Sequence, residues 1–133
     1  MALAVSDYLA DAILNAAFRG QPFTSPSTVY LALYTNNPTA ADTGTEVSGG
    51  AYVRKAVTFG APASESGKRT IKNSAEVAYP VATADWSTVT HVGVRDAATG
   101  GKLLYYGPVS NPRTIQLSDV LKFPVGSLIL TQN

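Results

Sequence analysis

Few residues in this chain could do chemistry. Its 133 residues include one histidine, His91, no cysteine, nine carboxylates and ten basic side chains. A catalytic triad or dyad needs histidine beside a nucleophile and an orienting carboxylate. His91 reads as mid-strand, between Thr90 and Val92, and nothing nearby supplies that geometry. Without cysteine, disulfides, thiolate nucleophiles and thiolate zinc sites are excluded together. One histidine also leaves a transition metal short of nitrogen ligands. The carboxylates Asp7, Asp11, Asp42, Glu46, Glu65, Glu76, Asp85, Asp96 and Asp119 are scattered, and none falls in a D-x-D-x-D-G calcium loop. Asp42 and Glu46 share one polar loop and could together hold a calcium ion. A glycosidase pair cannot be picked out, because any two of the nine would serve equally.

Other motifs weaken on inspection. The stretch SGKRT at 66–70 suggests a phosphate-binding loop, but position 62 is proline and Arg69 stands where the hydroxyl should be. It reads as a solvated hairpin loop. Gly49-Gly50 and Gly100-Gly101 read as turn residues. Trp86, between strands, could anchor a corner of the fold or stack on a sugar, and the corner is the better reading. Arg54, Lys55, Lys68, Arg69 and Lys72 form a basic patch only if their strands pair. The net charge is +1, with 14% of residues charged against ~25% in typical proteins. That balance argues against nucleic-acid binding, which normally needs a basic excess. No catalytic residue, cofactor or metal site is expected.

The elements that would position these residues follow from periodicity. Residues 6–19 read as a helix, with Ser6 as its cap, Asp7 and Asp11 in its N-terminal half, Gly20 just past its end and Pro22 blocking continuation. Leu9, Ile13, Ala16 and Ala17 share one face, widened by Leu14 and Phe18, so the helix must dock on something. The two aspartates also interrupt the apolar N-terminal stretch, whose first basic residue is Arg19; neither a signal peptide nor a membrane span is expected. Beyond the helix the period becomes two. Residues 28–35 form a strand with Val29, Leu31 and Leu33 on one face and Tyr30, Ala32 and Tyr34 on the other. Both faces are apolar, so both should be covered.

Residues 36–50 form a long polar loop of the kind that tends to be functional or mobile. Strand 51–59 carries Arg54 and Lys55 on opposite faces, as an edge strand would. Strand 70–79 follows loop 60–69. Residues 88–95 and 102–109 form a hairpin around DAATGG. Short strands at 113–117, 120–124 and 127–131 complete the chain, with turns at Ser118-Asp119 and Val125-Gly126. The expectation is one mainly β domain over 1–133, with helix 6–19 and a sandwich or jelly roll of seven or eight short antiparallel strands over 28–131. A chain of this length buries about two-thirds of its unfolded surface.

Five segments carry a resemblance: SDYL at 6–9, VYLALYT at 29–35, GTEVSGGAYVR at 44–54, NSA at 73–75, and ADWSTVTHVG with DAATGGKLLYYG over 84–107. Together they resemble a family of small structural proteins of tailed phages, many of them described as tail-fibre proteins and similar in size and build to jelly-roll capsid cement proteins. The resemblance implies a non-enzymatic virion component, assembled in the host cytoplasm. Its expected partners are the major capsid protein or tail proteins and further copies of itself, not nucleic acid or membrane. A cement or decoration role on the capsid is the leading expectation, because a fibre needs a length that 133 compact residues do not provide. A tail or tail-fibre adaptor or receptor-contacting tip is the alternative. A carbohydrate-binding module using Trp86, with a glycan as ligand, is a third reading. The expected interface residues are Leu9, Ile13 and Phe18 on the helix and Tyr30 and Tyr34 on the strand.

Overall fold

A computed structural model describes residues 1–132. The chain opens with strand β1 (Ala2–Val5) and helix α1 (Asp7–Phe18), then strands β2 (Val29–Tyr34) and β3 (Lys55–Val57). A hairpin of β4 (Ala63–Glu65) and β5 (Lys68–Lys72) precedes the short β6 (Val77–Ala78). The long hairpin of β7 (Ser87–Arg95) and β8 (Leu103–Ile115) is followed by β9 (Lys122–Phe123) and β10 (Ile129–Gln132). Eight strands form one sheet in the order β3-β2-β7-β8-β1-β10-β5-β4, and β6 pairs with β9 in a second, small sheet. Every pairing is antiparallel except β1 with β10.

The large sheet curls on itself. Just beyond β3, Phe59 bridges Asn73, which lies just beyond β5 at the far end of the strand order. The concave side holds one apolar cluster that includes Leu31, Leu33, Val92, Ile115 and Leu128 and reaches under the small sheet through Val77 and Phe123. The fold is mainly β and sandwich-like, with one helix.

The predicted hairpin around DAATGG is present, and β3 is an edge strand, as its flanking charges suggest. Four details differ from the sequence reading. β1 is an unpredicted strand, since four residues before a helix give no alternation to read. Strand 51–59 shortens because Ala51 sits at φ 67°, in a turn. Strand 70–79 divides at Asn73, which is buried. Its side chain donates to the Ala75 and Pro124 carbonyls and accepts from Leu128 N–H. The segment predicted as a separate strand at 113–117 is largely the end of β8, which runs 13 residues and carries Pro108 and Pro112. On β8, β1 pairs only with Tyr105 and Tyr106, so both prolines lie beyond it, where a missing donor costs no ladder bond on that side.

Ser6 is both cap and anchor. Its hydroxyl accepts from Leu9 N–H at 3.2 Å and donates to the Leu103 carbonyl at 2.6 Å, while its own N–H reaches the Leu104 carbonyl. α1 is therefore fixed where β8 begins. No helix among the described residues is long and apolar enough to cross a membrane.

Candidate assembly interface

The polar motif residues converge on one place, where they hold the chain's own loops. Arg95 ends β7 and is only 8% exposed. Its guanidinium makes a two-pronged contact with Asp42 at 2.8 and 2.9 Å and donates to the Tyr34 hydroxyl at 2.9 Å. It also donates to the carbonyls of Gly100 and Gly101 in the hairpin tip. Beside it Arg54 grips Glu46 in the same way, at 2.8 and 2.7 Å, and donates to the carbonyls of Ala97 and Gly100. Planar guanidinium forks suit such paired contacts better than an ammonium would. Two arginines thus staple loop 36–50 to the DAATGG tip.

The staple also reaches the core. The Tyr52 hydroxyl donates to Glu46 at 2.6 Å and accepts from Leu33 N–H in β2. Burial opposes ionisation of Glu46, but hydrogen bonds from Arg54 and Tyr52 outweigh it and hold its carboxyl below the usual value. Burial raises the Tyr34 hydroxyl, and the Arg95 hydrogen bond only partly offsets this. Within the loop, Asn36 Oδ1 accepts from Thr45 N–H and Asn37 Oδ1 from Thr39 N–H. The loop expected to be functional or mobile is a pinned cover.

That cover corrects one expected interface residue. Tyr34 is 1% exposed, lying under Pro38 and Gly44 of the loop and against Gly93. The apolar face assigned to a partner is covered by the chain itself. Arg95, at the end of β7, is the centre of the arrangement. Tyr30 remains half-buried.

The remaining candidates for chemistry separate. Asp42 and Glu46 each face an arginine, so they do not converge on a cation. No cluster of potential metal ligands exists among the described residues. His91 is half-buried and contacts only the neighbouring Thr90 hydroxyl through Nδ1; burial lowers its pKa. Trp86 is the predicted corner. It is 3% exposed, packs edge-on against Tyr52 and Tyr79, and donates to the Gly50 carbonyl at 2.8 Å. Its ring offers no face to a sugar. Of the five basic residues that could have formed a patch, Arg54 and Lys72 are instead paired with Glu46 and Glu65. SGKRT starts at the β4–β5 turn, with Ser66 and Gly67 both at positive φ, and runs on into β5.

What faces outward is the helix. None of its residues is fully buried. Leu9 and Ile13 are half-buried, with Leu9 packed against the core, whereas Phe18 is 81% exposed and Leu14 55%. Asp7, Asp11, Leu14 and Phe18 recur at spacings of four, three and four residues and so share one stripe. Of the five expected interface residues, Phe18 is the one fully open to a partner. The aspartates on its stripe lie in the N-terminal half of α1, where the helix dipole favours acidic side chains.

A family model described as podophage GP4 fiber I protein gp80 matches residues 4–131. The chain belongs to this family. As a fiber I protein it is a structural component of a bacteriophage particle, and it works by contact with other particle proteins. The match spans β1 through β10, including both arginine forks. No curated protein matches the sequence.

Proposed function

We propose that the chain is a non-enzymatic building block of the phage tail fibre, joined to its neighbours through the outward stripe of α1. The match to a fibre-protein family over residues 4–131 carries this reading. The geometry supports it. Arg54, Arg95, Glu46 and Asp42, the residues best suited to a reactive site, are committed to holding loops. Of the large apolar side chains left outside, Tyr8, Leu14 and Phe18 sit together on the helix, and Phe18 is the most exposed of all. A pinned loop and a cross-braced hairpin make a stiff unit, which suits transmission of contacts along a fibre.

One observation favours a capsid cement role instead: no extended shaft element is present among the described residues. Many copies at symmetric sites would then turn weak contacts into firm attachment. Cryo-electron microscopy of whole particles separates the two. Density for this fold in the tail fibres supports the first reading. Density confined to the capsid surface, at hundreds of copies, would replace it with the second.

A further inference from the structure

The outward stripe of α1 has a chemical counterpart elsewhere on the same molecule. A groove of about 280 Å³ lies between the far part of β8 and β9. Val89, Val109, Leu121 and Phe123 line its apolar floor, and Arg113 and Lys122 stand on its rim. Its size falls below the ~300–1,000 Å³ of small-molecule sites and suits inserted side chains. The rim is basic, and no acidic residue lines the groove. Arg113 and Lys122 are exposed, and among the described residues neither joins an ion pair. The same holds for Asp7 and Asp11 on the helix.

The two surfaces match in pattern. The stripe offers two carboxylates followed by Leu14 and Phe18, and Asp11 and Phe18 are about 10 Å apart along the axis. The groove offers two cations beside an apolar floor. The chain does not satisfy the match within itself, since no residue of α1 lines the groove. α1 is tied by Ser6 to Leu103 and Leu104 at the start of β8, and the groove begins at Val109 and continues to Arg113. Five residues of extended strand, from Leu104 to Val109, separate the anchor from the near end of the groove by about 16 Å.

We propose that the occupant of the groove is the helix of a second copy, with Phe18 and Leu14 over the floor and Asp7 and Asp11 facing Arg113 and Lys122. Such a contact joins two different surfaces, so it repeats head to tail along β8 and closes as a ring or continues as a filament. It deepens the fibre reading, since stacking supplies the length that one copy lacks. The test uses purified chain alone, so its failure leaves the location in the particle untouched.

Sedimentation velocity from about 10 μM to 1 mM covers the weaker specific contacts. The wild-type chain is expected to associate with concentration, less so at high salt. D7K/D11K and R113E/K122E should each weaken association at least about tenfold, as exposed pairs become repulsive. An equimolar mixture of the two should restore it, because each reversed helix then meets a reversed groove. F18S should weaken association without touching any charge. D7N/D11N gives the same reading if lysines at the helix N-terminus disturb the fold. A wild-type chain that stays monomeric at about 1 mM overturns the proposal. So does an R113E/K122E variant that associates normally, or a mixture that does not recover.

Discussion

Replacing Arg95 by alanine removes five hydrogen bonds at once, to Asp42 twice, to Tyr34 and to two tip carbonyls. Their worth is unequal. The Tyr34 hydroxyl is buried and loses its guanidinium partner, which costs about 1–3 kcal/mol. The Asp42 side chain is 34% exposed, so water replaces the fork and the loss there is about 1 kcal/mol. Gly100 and Gly101 are exposed, and their carbonyls return to water at little cost. Truncating the buried aliphatic stem adds about 1 kcal/mol. The expected destabilisation is about 3–5 kcal/mol, or a Tm lower by roughly 10–18 °C for a domain of this size. Calorimetry reads the Tm, and hydrogen exchange at residues 39–47 reads the release of the loop. Arg95→Lys keeps the charge but not the fork and should still cost about 2 kcal/mol. A double-mutant cycle of Arg95→Ala with Asp42→Asn should show coupling of about 1 kcal/mol. If Arg95→Ala costs under about 1 kcal/mol, or Arg95→Lys matches wild type, the staple does not hold the loop.

Three further outcomes follow from the same geometry. The Glu46 carboxyl is depressed in the folded chain, so its stabilisation is full above the unfolded value of ~4.3 and lost as pH falls through the folded one. Thermal melts between pH 7 and 3 should fall more steeply for wild type than for Glu46→Gln, and parallel curves would contradict this. Gly93→Ala should cost about 1–3 kcal/mol in urea unfolding, because the added methyl meets Leu103 Cδ1 at 2.7 Å and Tyr34 Cε2 at 2.9 Å. Phe18→Ser should leave the Tm of dilute protein within about 1 °C, since an 81% exposed side chain has little burial to lose.

Periodicity and turn chemistry are local, and what they determined was local. The Ser6 cap, the helix end at Gly20, the apolar faces of β2, the DAATGG hairpin and the turn at Val125-Gly126 could all be read directly. The turn expected at Ser118-Asp119 lies one residue earlier, at Leu117-Ser118. The expectation of no reactive site followed from composition, since one histidine and no cysteine leave little to build with. The family resemblance rested on the same segments that the family model later matched.

The tertiary structure decided what each motif is for. Asp42 and Arg95 are 53 residues apart, and Arg54 and Ala97 are 43 apart, so no window of sequence joins them. The apolar outer face of β2 demanded a cover, and sequence pattern cannot tell a partner from the chain's own loop. The loop supplied it, which buried Tyr34 within the chain. The helix has the opposite history. Its residues were recognised from spacing, but which stripe remained outward depended on where Ser6 tied it to β8. That tie left Asp7, Asp11, Leu14 and Phe18 in solvent, at the other end of β8 from a groove with the complementary charges.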